Sequence, residues 1–213
     1  MSRSGPPQNP RTRPLKRPRQ ARARFTVQAI YDAYVRIWQR DGWEHLTTRK
    51  VALETGIAIG TLYDYFPSRE ALHSGYVRHC IEEMIRRIDE QVIAPTDLAW
   101  QERVRRLTRH LAGLTDNSDT WFSPEMMQLE PIVADTRSQQ RAYNELLAIW
   151  HRVVDACPDL SPRPSDATLE ALHLSAWGGR RYALQVELDD DRRRAWATEL
   201  ERICTLALTP PVD

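Results

Sequence analysis

Apolar side chains recur at three- and four-residue steps along almost the whole chain, and that period admits one kind of secondary structure. Val27, Ile30, Tyr34, Ile37 and Trp38 form one such stripe, and Val77, Ile81, Met84, Ile85, Ile88 and Val92 form a second. Leu98, Val104, Leu107, Leu111 and Leu114 continue it, followed by Leu146, Leu147, Trp150, Val153 and Val154. Leu169, Leu172, Leu174, Trp177 and Leu184 come next, and Trp196, Leu200, Ile203 and Leu206 close the series. No segment alternates as a half-buried strand would. Breaks are expected at Gly42, Gly56, Pro67, Pro95, Pro124 and Pro131, and across the proline-rich stretch 157–165. The pattern predicts an all-α protein of eight or nine helices.

With 213 residues, 41% of them apolar, the chain can bury a sizeable core. No apolar run approaches the ~20 residues needed to span a bilayer, so a soluble protein with no membrane partner is expected. Cys80, Cys157 and Cys204 are scattered and odd in number, which fits a reducing cytoplasm and argues against disulfides or a thiolate metal site. The net charge of +1 hides an asymmetry. Residues 1–24 carry eight basic groups and no acid, whereas the remainder carries 22 basic and 29 acidic groups, a net of −7. The first stretch also holds Pro6, Pro7, Pro10, Pro14 and Pro18, so it reads as a disordered basic arm suited to a polyanion.

The most informative segment is 46–72. Thr47 or Thr48 can cap a first short helix that runs to Thr55 with Val51 and Ala52 facing inward. Gly56 follows where a left-handed residue must end that helix. A second short helix is expected from about Ile59 to Phe66, with Leu62 and Phe66 in the core. Two short helices joined by a tight glycine turn make a helix-turn-helix, whose second helix enters the DNA major groove. Gly60 and Thr61 near its start would let the backbone approach another surface, and Tyr63, Asp64 and Tyr65 offer polar tips.

The run Val51-Ala-x-x-x-Gly56-Ile-x-x-Gly60-Thr61-Leu62-Tyr63-x-Tyr65-Phe66-x-Ser68-Arg69-x-x-Leu72 resembles the tetracycline-repressor (TetR) family of bacterial regulators. That resemblance covers residues of about 25–72 and implies double-stranded DNA as partner, over a near-palindromic operator. Carried over by position, it implies DNA contacts by Thr48, Gly60, Thr61, Tyr63, Tyr65 and Arg69, mostly to the backbone. Arg49 is a further candidate, and Asp64 can accept from a cytosine amino group. The chain departs from the family at Ala58-Ile59, where Ser-Lys is frequent, and so lacks one cap and one cation.

The resemblance further implies a C-terminal domain, 73–213, that binds a small-molecule effector and forms a homodimer through the last two helices. These are expected at about 165–187 and 190–208, with the helix after the recognition helix continuing to about 93 as a connector. Asp189, Asp190 and Asp191 suit the start of the last helix. Gly178 and Gly179 inside the preceding one call for close helix approach or room for a ligand. Trp100, Trp121, Phe122, Met126, Met127, Tyr143, Trp150, His151 and Trp177 are candidate pocket residues, being aromatic or adaptable side chains. Glu70-x-x-His73 and Glu170-x-x-His173 have the spacing of a di-iron ligand pair, but Glu70 sits where a helix dipole alone explains a carboxylate. No nucleophile elbow or phosphate loop is present, so no cofactor and no enzyme activity are expected. The reading that results is a ligand-responsive regulator, a repressor by family habit.

Overall fold

A computed structural model describes residues 21–115 and 121–209. Among them the chain is all α, with ten α-helices and two single π-turns and no strand. It divides into two compact units, one holding the residues up to His79 together with Leu129–Asp135, the other Cys80–Gln128 and the residues from Thr136 onward.

The first unit contains α1 (Ala21–His45), α2 (Thr48–Thr55), α3 (Ile59–Tyr65) and the opening turns of α4 (Arg69–Ile88). Residues 1–20 of the expected basic arm lie outside the described residues, and its last four, 21–24, belong instead to the first turn of α1. α1 loses helical geometry at Gly42, whose φ of 73° and ψ of 174° turn the chain before the segment to His45. Ile30, Tyr34, Ile37, Trp38, Leu46, Val51, Leu62, Phe66 and Leu72 form the core, each buried. An aromatic box fills its centre: Tyr34 packs on Trp38 and Tyr76, Trp38 on Trp43, and the Tyr34 hydroxyl shares a 2.7 Å hydrogen bond with His73 Nδ1.

In the second unit the remainder of α4 runs into a π-turn, Asp89–Ile93. α5 (Trp100–Ala112), α7 (Thr136–Asp155), α8 (Asp166–His173), a second π-turn (Leu174–Gly178), α9 (Gly179–Gln185) and α10 (Asp190–Leu208) complete it. Between α5 and α7 lies α6 (Pro124–Val133), whose residues are shared between the two units. α6 continues through Pro131, where a break was expected, and ends two residues later at Val133. α5 is central, packing against α10, α7, α9 and both π-turns with Val104, Leu107 and Leu111 buried. Its first amide has no cap from Ala99 and instead donates to Asp159 Oδ2 at 3.0 Å. Arg103 is buried among backbone carbonyls, its guanidinium donating to Ile93 O at 3.1 Å, Leu98 O at 3.3 Å, and also Val92 O and Pro95 O. This one side chain closes the loop that leaves the first π-turn. α10 spans the expected residues, and Asp189 caps it by accepting from Arg192 N at 2.8 Å. Gly179 does serve a close approach, but within the chain: a Cβ there would lie 2.6 Å from Trp196 Cζ2 on α10.

Candidate nucleic-acid interface

The helix-turn-helix is built by local chemistry at each end of α2. Thr47, not Thr48, is the N-cap, its hydroxyl accepting from Lys50 N at 3.2 Å. Gly56 ends the helix in the left-handed region at φ 73°, its amide bonding Leu53 O at 3.2 Å while Ile57 N bonds Ala52 O at 3.1 Å. Val51 and Ala52 face inward, as does Leu62 from α3, and Phe66 closes α3 as its C-cap. α3 begins at Ala58 with no side-chain cap, the consequence of the missing serine.

Anchoring Leu62 and Phe66 turns the opposite face of α3 outward. Gly60, Thr61, Tyr63 and Asp64 are exposed and Tyr65 is half-buried. The hydroxyls of Tyr63 and Thr48 share a 3.3 Å hydrogen bond, which ties the start of α2 to the middle of α3. Arg49 is exposed and has no ion-pair partner among the described residues. Lys50 is otherwise engaged, its Nζ lying 3.2 Å from Asp41. Asp41 also receives Arg40, and Glu54 receives Arg36 at 2.9 Å and Arg40 at 3.2 Å. The hydrogen bond from Arg40, then that from Lys50, holds the Asp41 carboxyl below its usual range. The network joins α1 to α2 and keeps these cations on the scaffold.

Arg69 is less exposed than its motif position alone indicates. Its guanidinium lies 4.4 Å from the centroid of the Trp43 ring, donates to Glu70 Oε1 at 2.9 Å and reaches Trp43 O at 3.3 Å. Such stacking fixes where the charge sits. Sequence reasoning did not single out Trp43.

The nine candidate pocket residues fall on several elements of the second unit. Trp100, Met126, Met127 and Trp150 are buried, while Trp121, Phe122, Tyr143, His151 and Trp177 are half-buried. The contacts they make draw in residues outside the nine. The Tyr143 hydroxyl donates to Glu170 Oε1 at 2.5 Å, and its ring meets His173 edge-on at 4.9 Å. His173 is fully buried, and among the described residues neither of its ring nitrogens has a hydrogen-bond partner. Burial lowers its pKa to about 4, so it is neutral. Trp177 lies under Arg180, whose guanidinium carbon is 5.6 Å from the ring centroid. The two Glu-x-x-His pairs fall in different units, where His73 bonds Tyr34 and Glu170 bonds Tyr143.

Two short helices meeting at the Gly56 turn, with Leu62 and Phe66 buried and a polar face outward, have the arrangement of a helix-turn-helix. Residues 22–74 match the profile of bacterial regulatory proteins of the tetR family. That match covers the helix-turn-helix segment and leaves the second unit outside it. It is 29% identical over 112 residues to YfiR, an uncharacterized HTH-type transcriptional regulator of Bacillus subtilis. That match covers 53% of this chain and spans only about half, 52%, of the relative. The fold extends further. Salmonella enterica GusR superposes with a TM-score of 0.61 at 17% identity, over 86% of this chain and 95% of that one. Thermus thermophilus FadR, a TetR-family transcriptional repressor in complex with lauroyl-CoA, gives 0.52 at 18% identity, over 88% and 98%. At such identities these likenesses establish the fold alone. Among the described residues no helix is long and apolar enough to cross a membrane.

Proposed function

We propose that the chain is a homodimeric repressor that binds a near-palindromic operator through α3 and leaves it when a small molecule binds the second unit. The observation that carries the DNA reading is the split of α3 into a buried face, Leu62, and an exposed face, Gly60, Thr61, Tyr63 and Asp64. Thr48, Arg49, Tyr65 and Arg69 flank that face and supply phosphate contacts, with the basic groups of residues 1–24 adding electrostatic ones. Two copies place two such helices about one DNA turn apart.

Support for the two-fold comes from α8 to α10, where Leu174, Tyr182, Val186, Ile203 and Leu206 are large apolar side chains left exposed. Support for ligand response comes from FadR, a neighbour in fold that is described with lauroyl-CoA bound. The test is selection of bound sequences from randomised duplex DNA by the full chain, followed by binding titrations. Recovery of an inverted repeat, with affinity lost in Thr61→Ala and Tyr63→Ala, is the expected result. Enrichment of no sequence, or unchanged binding in both variants, would remove α3 from the reading.

A further inference from the structure

Arg180 is the second residue of α9, with its side chain turned toward the C-terminal end of α5. Gly113 caps that end at φ 76°, and a Cβ there would lie 3.0 Å from the Arg180 guanidinium carbon. Only a residue without a side chain lets the guanidinium lie so close to the α5 backbone. Two carbonyls of that helix end already have donors: Gly113 N bonds His110 O at 3.1 Å and Leu114 N bonds Arg109 O at 2.9 Å.

The rest of its surroundings are soft and apolar. Arg180 Nη1 is 3.9 Å from Met84 Sδ, and the Trp177 ring lies beneath the guanidinium. Cys80 also lies near enough to act on its charge, and the charged group near it is another cation, Arg193, which pairs with Asp190. Among the described residues no carboxylate is within ion-pair distance of Arg180. Burial lowers its pKa to about 10, so it stays a cation at neutral pH. A guanidinium has five donors and normally meets an anion when it leaves water. The α5 dipole offers it only a fraction of a charge. Cys80, Met84, Trp177 and Arg180 are nevertheless all half-buried, not sealed, so the group is reachable.

We propose that Arg180 is the anchor of an organic carboxylate: the effector is an amphipathic acid whose anionic group pairs with this guanidinium and whose apolar part lies against Met84 and Trp177. The inference rests on the reading of the second unit as effector-binding. Guanidinium and carboxylate match as planar, bidentate partners, which a neutral or cationic ligand cannot reproduce.

The experiment uses octanoate, 1-octanol and octylamine, matched in chain length and different in head group, with the full chain in calorimetry and thermal melting. Octanoate should bind at least tenfold more tightly than 1-octanol and raise the melting temperature, and octylamine should not bind. Arg180→Met should erase the preference for octanoate while leaving 1-octanol binding as it was, and Arg180→Lys should keep part of it. Without ligand, Arg180→Met should melt at or above the wild-type temperature, since it removes an uncompensated charge. Equal binding of octanoate and 1-octanol, binding of neither, a preference retained in Arg180→Met, or failure of that variant to fold each overturns the proposal. If octanoate binds through Arg180 and leaves DNA affinity unchanged, the carboxylate site stands and the effector reading falls. If a neutral compound releases DNA from wild type and Arg180→Met alike, the effector reading stands and the carboxylate site falls.

Discussion

A buried histidine with no hydrogen-bond partner is stable only while neutral, and the second unit holds one in His173. His110 is also buried and its pKa is likewise lowered to about 4, by burial first and then by the Arg87 guanidinium. In the unfolded chain each takes up a proton near its ordinary 6.5, and in the folded one it does so only near about 4. The unfolded state therefore binds more protons throughout that window. Their contribution is complete above pH 6.5 and is lost as pH falls toward 4, by at most ~1.4 kcal/mol per unit and group. Glu102, held down to about 2 by hydrogen bonds from Arg105 and Arg106, acts only below its ordinary 4.5. Urea midpoints should thus fall between pH 7 and 5, and His173→Leu should flatten that fall. An unchanged slope in the variant would show that His173 is not the group responsible. The same scale governs the DNA contact proposed for Arg69, which is held over Trp43. Arg69→Ala should weaken operator and random DNA by similar factors and lower the salt slope by about one, whereas an unchanged slope in a gel-shift series would exclude a phosphate contact.

At the level of elements, cost follows from how many backbone groups depend on one side chain. Arg103 serves four carbonyls after the first π-turn, at residues 92, 93, 95 and 98. Arg103→Leu leaves those acceptors in a closed loop without a donor, and should cost about 3–5 kcal/mol in chemical denaturation. A loss below ~1 kcal/mol would mean that water replaces the guanidinium. Nothing in the sequence marked this residue. In the run Glu102-Arg-Val-Arg-Arg106 it resembles its neighbours, and Arg105 and Arg106 do spend their charge on Glu102 at 2.6 and 2.7 Å. By contrast Gly56, Asp189 and the apolar face of α3 were legible, because caps and helix periods are settled within a few residues of themselves. The stacking of Arg69 on Trp43, the packing of Trp196 on Gly179 and the isolation of Arg180 depend on residues distant in sequence. No spacing rule announces them. The same limit applied to the candidate pocket: composition picked out Trp177 and Tyr143 but not the Arg180 that Trp177 touches, and His173, which Tyr143 touches, stood out only through its Glu-x-x-His spacing.

For the molecule as a whole, an all-helical second unit that leaves Leu174, Tyr182, Val186, Ile203 and Leu206 exposed has apolar surface still to bury. Leu174, Tyr182 and Val186 recur at eight and then four residues along α8 to α9, close to one helical face, and Ile203 and Leu206 are three apart on α10. Single exposed apolar residues need no explanation, but five on two successive helical segments form a surface that a second copy can cover by symmetry. A stable dimer of this kind buries on the order of 2,000 Å² or more. The proposed two-fold would also serve the proposed operator. In such a dimer, once one α3 is seated the other would bind at a high effective concentration, so affinity for a paired site should exceed that for either half by orders of magnitude. Light scattering should therefore give a dimer of the 24.8 kDa chain at micromolar concentration. Leu206→Arg and Tyr182→Arg together should shift it to monomer with the helical signal retained. The same variant should lose about 100-fold or more for an inverted repeat and little for a single half-site, because each recognition helix remains intact while the linkage between them is gone. A monomer in the unaltered chain, or a monomeric variant that still prefers the paired site, would place the two-fold elsewhere or remove it.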